Sequence, residues 1–550
     1  MSTGNFFKRS ITTTCVIASL VAFGVTPSEC ARIPHLRQQG TAVQLIVDDD
    51  PFLILGGELG NSSTSNLNYM KSQWPKLVKL NLNTVLAPVY WDLIELQEGA
   101  FDFTLVDGLI REARSHNLRL VLLWFASFKN SMSCYAPIWI KTNQQRFPRA
   151  QDKEGRGMEI LTVFSEDNCA ADARAFAALM RHLRQVDGEK HTVIMVQVEN
   201  EMGMILEARD YCNAANDLFN KPVPKELMEY LIQHKDTLIP EFRKMWAEAG
   251  FKTSGTWEDV FGKGLGTDEI FMAWHYARYT NRIVEAGKAE YPLPMFVNAA
   301  LIRPNYQPGQ YPSAGPLPHI MDIWRAGGPR IDFFSPDIYF QNFAEWCQKY
   351  HRSGNPLFIP EARRDTQAAA NVFYAMGQHD ALGFCPFSIE SVSDSDNDLL
   401  GRAYDILSQL APVILKHQGQ GTMAGALLDK DHQTQHVKLG NYALKVSHYY
   451  TWSWSSGAGE SGRWPRAGGL CISIAPGEYI IAGTGIIVTF APNSPGDPIA
   501  GIASIQEGRY VEGRWVPGRW INGDQSHQGR HLRIPANSFG IQRVKLYRYH

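Results

Sequence analysis

The stretch VIMVQVENEMG, Val193 to Gly203, drives an apolar run into two carboxyl groups and an amide, Glu199, Asn200 and Glu201. Further along, PLFIPEARR delivers another acidic side chain, Glu361, at the end of a second apolar run. Two carboxyl groups facing each other across a cleft are what cleavage of a glycosidic bond requires. One protonates the departing oxygen, and the other attacks the anomeric carbon or activates water. The plainer alternatives are a solvated loop carboxylate or helix cap for Glu201, and an ion pair with Arg363 or Arg364 for Glu361. Glu199 and Glu201 share strand parity, so spacing does not choose between them. The histidines show no H-E-x-x-H or paired spacing and the cysteines no C-x-x-C, so no metal and no cofactor is expected.

For these groups to meet, the chain must carry them on converging elements. Between Pro51 and Ala411 the apolar runs PFLILGGEL, NTVLAPVYW, RLVLLWFAS, TVIMVQVEN, PMFVNAAL, IDFFSPDIY, PLFIPEAR and ALGFCPFSIE alternate with segments of helical spacing. Continuous apolar strands separated by amphipathic helices predict a parallel sheet covered by helices, and eight such units predict a closed (β/α)8 TIM barrel, an α/β fold. In that fold the C-terminal ends of the strands open onto one face. Glu58, Tyr90 with Trp91 and Asp92, Glu199 to Glu201, Asp337 with Tyr339, Glu361 and Glu390 all end such runs and are expected there. Trp91, Trp124 and Phe387 are either apolar walls of the cleft or core. A long segment from Met202 to Glu269, rich in proline and aromatics, is expected on the same rim.

After Lys416 the pattern changes to alternating runs broken by Gly, Pro and Asn, which predicts a C-terminal antiparallel β-sandwich domain. The opening residues place Lys8 and Arg9 before an apolar segment, Cys15 to Val25, too short to span a bilayer, which reads as a secretory signal peptide. The expected organisation is therefore a signal peptide at 1–31, a catalytic barrel at 32–415 and a sandwich at 416–550. The product is expected to be exported, periplasmic or extracellular, with no membrane partner expected in the mature form. The chain has 550 residues, with Lys+Arg 53 against Asp+Glu 55, a balance without the basic runs that track a phosphate backbone, so nucleic acid is not an expected partner. The 14 Trp and 21 Tyr suit a ligand with flat apolar faces and hydroxyl groups.

NTVLAPVYWDLIELQEGAFDF, VQVENEMG and FIPEARR together resemble the glycoside hydrolase family 35 β-galactosidases, in a secreted bacterial branch. The resemblance covers the barrel and extends to EYIIAGTGIIVTF in the C-terminal domain. Glycosidases of that clan place an Asn-Glu pair after strand four and a nucleophilic glutamate after strand seven. The resemblance thus implies Glu201 as acid/base, Glu361 as nucleophile and Asn200 as donor to the sugar 2-hydroxyl. It further implies Tyr339 as orienter of Glu361, and Glu58, Tyr90 and Glu390 as partners of galactose hydroxyls. The implied substrate is a terminal β-galactoside of an oligo- or polysaccharide, with plant xyloglucan as one source by analogy. Another retaining glycosidase of the clan, acting on mannosides, glucosides or arabinosides, and a carbohydrate-binding protein on a silent barrel are the competing readings. The first strand ends GGELGNSS and the seventh lacks the tryptophan found after the nucleophile in many animal and plant members.

Overall fold

The computed structural model describes residues 1–4, 32–391, 398–452, 464–521 and 523–550. The basic and apolar parts of the expected leader fall within residues 5–31, outside the described residues. Eight parallel strands close into a barrel: β1 (Ile54–Glu58), β2 (Thr84–Tyr90), β3 (Arg119–Lys129), β4 (Val193–Asn200), β5 (Met295–Ala300), β6 (Phe333–Ile338), β7 (Phe358–Ala362) and β8 (Gly383–Pro386). β8 pairs with β1, and β4 with β5, so no barrel edge is left open. All eight strands are buried on both faces along nearly their whole length, which is why they read as unbroken apolar runs. Glycines appear where the sheet has no room: a Cβ at Gly57, one residue before Glu58, would stand 2.5 Å from Ile389.

The barrel interior is packed near the strand starts by Ile54, Phe296, Phe333, Phe358 and Leu382, and this cluster includes Leu45 and Val47. Those two residues belong to an N-terminal antiparallel sheet, His35–Gln39, Ala42–Val47 and Asp50–Phe52, which plugs the end of the barrel remote from the carboxylates. Long helices cover the outside, including α1 (Glu166–Asp187), α2 (Leu265–Glu290), α3 (Ala368–His379) and α4 (Leu399–His417). Ser165 caps α1 by accepting from the Asn168 amide, as a serine before an acidic first turn should. The segment after β4 folds into short helices, Asn213–Phe219, Lys225–Gln233, Pro240–Glu248 and Trp257–Phe261, before α2 begins.

Beyond α4 lie two antiparallel sheets. One has the order Met423–Leu428, Ala467–Ala475, Glu478–Thr484, Gly540–Tyr549, Ile499–Val511, Arg514–Trp520; the other runs Thr434–Leu439, Tyr442–His448, Ile486–Pro492, His531–Ile534. Between them is a core of their own, with Leu444, Val446, Ile481, Val488 and Leu532. The first sheet also docks on the barrel, since Leu470, Ile472, Ile480 and Ile541 join the barrel's outer core. At Gly468 the sheet backbone comes so near α3 that a Cβ would lie 2.3 Å from the Ala370 carbonyl oxygen. Only glycine permits that approach.

Candidate active site

The strand ends deliver the acidic residues to one place. One carboxylate oxygen from each of Glu201, Asp337 and Glu361 lies within 4.8 Å of the others. Register explains part of this: Asp337 of β6 pairs directly with Glu361 of β7. Glu201 follows β4 with its backbone in the left-handed region, φ 45°, and its amide donates to the Asn298 side-chain oxygen at 2.9 Å. The Asn298 amide nitrogen donates to Asp337 Oδ2 at 2.7 Å, so one buried asparagine on β5 sets both neighbours. A cleft of about 330 Å³ opens over Glu201, Asp337 and Tyr339, walled by Asn130, Ile205 and Phe340. Ile205 comes from the segment after β4, so at least this part of the insertion reaches the rim.

Glu361 is 6% exposed and its Oε1 accepts from the Tyr339 hydroxyl, while Oε2 is buried without a partner. Burial pushes the Glu361 carboxyl up, and the Lys129 ammonium and the Tyr339 hydrogen bond pull it back toward the anion. Burial also raises Glu201, with the charge of Glu361 adding to it, and the carboxyl settles at about 7 despite Lys129 and a hydrogen bond with Asp337. Asp337 is pushed well above the ordinary carboxylate range by burial and then by Glu361, Glu201 and Glu58. Of the three, Glu361 is the seat best built for a negative charge, and Glu201 the one poised to hold a proton near neutrality.

Lys129 is the buried cation in this set, 4% exposed. Its Nζ donates to Asn200 Oδ1 at 2.7 Å and to Asn130 Oδ1 at 2.6 Å, and stands 4.7 Å from the centre of the Phe125 ring. By holding the oxygen of Asn200, it turns the amide nitrogen of that residue away, and this Nδ2 is buried with no partner. Lys129 sits where a β-bulge shifts the β3–β4 register, from Trp124 opposite Val198 to Lys129 opposite Asn200. Bulges re-aim side chains next to functional sites, and this one puts a cation among carboxyl groups.

Glu199 goes elsewhere. It is fully buried, accepts from the Ser127 and Phe128 amides at 3.3 and 2.8 Å, and is hydrogen-bonded to Asp172 of α1. Asp172 in turn accepts from Trp124 Nε1 at 2.9 Å and from the Ser127 hydroxyl. Burial raises both carboxyls, and each neighbours the other, so the pair holds one proton between them. This cluster clamps the β3 and β4 ends behind the cleft.

The remaining expected residues divide. Both oxygens of Glu58 are buried without partners, and burial followed by the charge of Glu361 raises its carboxyl well above the usual range. Glu390 accepts through Oε1 from the Gly60 amide at 2.9 Å and from the Ser63 hydroxyl, while Oε2 is unpartnered. Tyr90 is packed inside the barrel with Leu86 and Phe125, its hydroxyl accepting from Thr64 at 2.9 Å, an arrangement of core packing more than of ligand contact. Trp91 and Trp124 are core and not cleft walls: each is fully buried, donating to Glu95 at 2.7 Å and to Asp172. Glu201, Asp337 and Glu361 form, among the described residues, the one cluster of three such ligands close enough to hold a cation.

Comparison with known proteins bears on this constellation. Residues 64–261 match the model of glycoside hydrolase family 42, described as Beta-galactosidase. That segment holds β2 to β4 and Glu201, and ends before Glu361. The match falls on family 42 and not on the family 35 that the sequence resembles. Residues 400–533 match a domain of unknown function (DUF5597). A beta-galactosidase of Xanthomonas manihotis is 28% identical over 198 residues, 35% of this chain and 30% of that protein. Similar solved structures include beta-galactosidases from Bacillus circulans sp. alkalophilus (14% identity, TM-score 0.44) and Rahnella sp. R3 (15%, TM-score 0.44), each match covering 66% of this chain and 57% of the other. The catalytic domain of a beta-amylase from Paenibacillus polymyxa matches at 11% identity and TM-score 0.44, over 64% of this chain and 98% of that one. The chain spans under a third of the curated relative and just over half of these two galactosidases.

Proposed function

We propose that the chain is a retaining, exo-acting glycoside hydrolase that removes terminal β-D-galactosyl residues. The observation that carries this is the approach of Glu201 and Glu361 to within 4.8 Å at the mouth of the barrel. Retaining glycosidases hold their carboxyl pair about 5–5.5 Å apart and inverting ones about 6.5–9.5 Å, to leave room for water. Around the pair sit buried polar atoms without partners: both oxygens of Glu58, Asn200 Nδ2, Asp337 Oδ1, Glu361 Oε2 and Glu390 Oε2. Buried polar atoms left unpaired cost stability, and a ligand bearing several hydroxyl groups satisfies them at once.

In the first half-reaction Glu361 Oε2 forms a bond to the anomeric carbon as the glycosidic C–O bond breaks, and Glu201 gives its proton to the departing oxygen. Asn200 Nδ2 donates to the 2-hydroxyl, a contact that strengthens as positive charge grows on the ring. Esterification removes the charge of Glu361, and with it one of the causes that hold Glu201 up, so Glu201 becomes the base. It takes a proton from water, whose oxygen attacks the anomeric carbon and frees Glu361. Glu58, kept protonated, can both donate to and accept from a sugar hydroxyl.

The galactoside preference follows the family-42 match and the named relatives; family 35 and family 42 require the same carboxyl pair in this reading. The aglycone side includes oligosaccharides and polysaccharides, xyloglucan among them, and export through the N-terminal leader belongs to the same proposal. A panel of nitrophenyl glycosides tests it. Turnover of the β-galactoside is expected to exceed that of the mannoside, glucoside and arabinoside. With Glu361→Gly, azide should restore turnover and yield the α-galactosyl azide. Dominant turnover of another glycoside would overturn the substrate, and a Glu201→Gln variant that functions unimpaired would support a silent carbohydrate-binding barrel instead.

A further inference from the structure

The C-terminal domain carries a second cleft, of about 510 Å³, in the seam between α4 and both sheets. Small-molecule sites run from about 300 to 1,000 Å³. One wall is the strand His531–Ile534. All four of its residues line the cleft; Leu532 and Ile534 also join the core between the sheets, and the His531 ring packs on Trp452 with centroids 4.2 Å apart.

His531 is 1% exposed and neither of its ring nitrogens has a hydrogen-bond partner. Burial, with the charges of Arg533 and His527 adding to it, pushes the imidazole down to about 4, so the ring is neutral at ordinary pH. A neutral imidazole offers one donor and one acceptor, the complement of a hydroxyl group. Burying both without partners has a cost that a ligand removes.

The charge around that ring is one-sided. Arg519 is engaged by Glu507 at 2.8 and 3.0 Å. The guanidinium groups of Arg509 and Arg533, which also line the cleft, have no hydrogen-bond or ion-pair partner among the described residues. Arginine stays charged at every accessible pH, and its planar fork matches a carboxylate. Arg509 is exposed and Arg533 half-buried, so both guanidinium forks are open to an anion in the cleft.

We propose that this cleft is a saccharide site for a sugar that carries a carboxylate, a uronic acid unit, with the carboxylate on Arg509 and Arg533 and ring hydroxyls on His531. The site lies outside the barrel and does not depend on the hydrolytic reading. It would hold the protein on a glycan with acidic residues while the barrel works on neutral ends.

Calorimetric titration of the full chain with trigalacturonate tests this, with galactose present throughout at saturating concentration to fill the barrel site. One binding site is expected, with a neutral galactose trisaccharide at least tenfold weaker. Arg533→Gln and Arg509→Gln should each weaken trigalacturonate binding by tenfold or more while nitrophenyl-galactoside turnover stays within twofold of the parent. Because His531 stays neutral, affinity should be flat between pH 5.5 and 8. Absence of binding, equal affinity for the neutral trisaccharide, or arginine variants that bind like the parent would overturn the proposal. Displacement of trigalacturonate by millimolar inorganic phosphate would overturn the sugar part, since it makes the cleft a simple anion site. A parent chain inactive on galactosides would sink the proposed hydrolysis and leave this titration interpretable.

Discussion

Tyr339→Phe isolates one hydrogen bond whose loss has a calculable consequence. In the structure the Tyr339 hydroxyl donates to Glu361 Oε1, and the other carboxylate oxygen has no protein partner. The phenylalanine keeps the ring, half-buried at the end of β6, and removes only the donor. A hydrogen bond to a charged group contributes about 1.5–3 kcal/mol. At about 1.4 kcal/mol per pKa unit, the Glu361 carboxyl should rise by roughly one to two units. The sign follows from the role: Glu361 acts as the anion, so activity is present above its pKa and lost as pH falls through it. The acid limb of kcat/KM therefore moves up by roughly one to two units, toward the alkaline limb set by Glu201 at about 7. As the limbs converge the bell narrows and its maximum drops, with little change in Tm. The assay is the pH profile of kcat/KM on nitrophenyl β-galactoside, parent against variant. An acid limb that stays in place would refute the claim that this hydroxyl holds the Glu361 charge.

Lys129→Met removes the buried cation that lowers Glu58, Glu201, Asp337 and Glu361 together, so the acid limb should rise further than in Tyr339→Phe; an unmoved limb would remove Lys129 from the electrostatics. Glu201→Gln should lower kcat/KM by about 10²–10⁴ on substrates whose leaving group needs a proton, while a dinitrophenyl galactoside keeps most of its kcat/KM and gives a burst followed by stalled release; equal losses of kcat/KM on both substrates would contradict its role as acid. In the Glu199–Asp172 pair, Asp172→Asn puts an amide N–H in place of the shared proton, with the Ser127 hydroxyl turning to Tyr279, and should keep Tm and kcat close to the parent, whereas Asp172→Ala leaves the Trp124 N–H and Glu199 without that partner at a cost of about 1–3 kcal/mol. Thermal melting and kcat of the two variants check this, and equal damage from both would disprove proton sharing.

Much of this arrangement was legible because a doubly covered parallel strand cannot alternate: each of the eight apolar runs became a strand, and Glu201, Asp337 and Glu361 met at the mouth, while Tyr90 went into the core and Glu199 behind the cleft. Lys129 was not legible, because the run RLVLLWFAS closes at Ser127 and the strand continues through a bulge to Lys129. Asn298 was hidden inside PMFVNAAL, where nothing in the spacing marks an amide that orients two neighbouring strands. The tie between Glu199 and Glu201 rested on strict alternation, and both residues have left-handed backbones, φ 61° and 45°, which breaks it. HLRQQ gave no apolar signal as a strand, since His35–Gln39 is the outer strand of its sheet and half exposed. The indole rings of Trp91 and Trp124 were ambiguous for a different reason: a buried indole N–H needs a partner, and Glu95 and Asp172 supply it from positions that sequence separation does not reveal.

The spacing of the two glutamates makes a stereochemical statement that no substrate preference can alter. Proton NMR during the first minutes of hydrolysis, before mutarotation, reads the anomer released by the parent chain. With Glu201 and Glu361 within 4.8 Å, the first-formed sugar should be the β-anomer, carried through a covalent intermediate on Glu361. Initial release of the α-anomer would mean that water attacks directly, and would contradict the pairing on which the account stands.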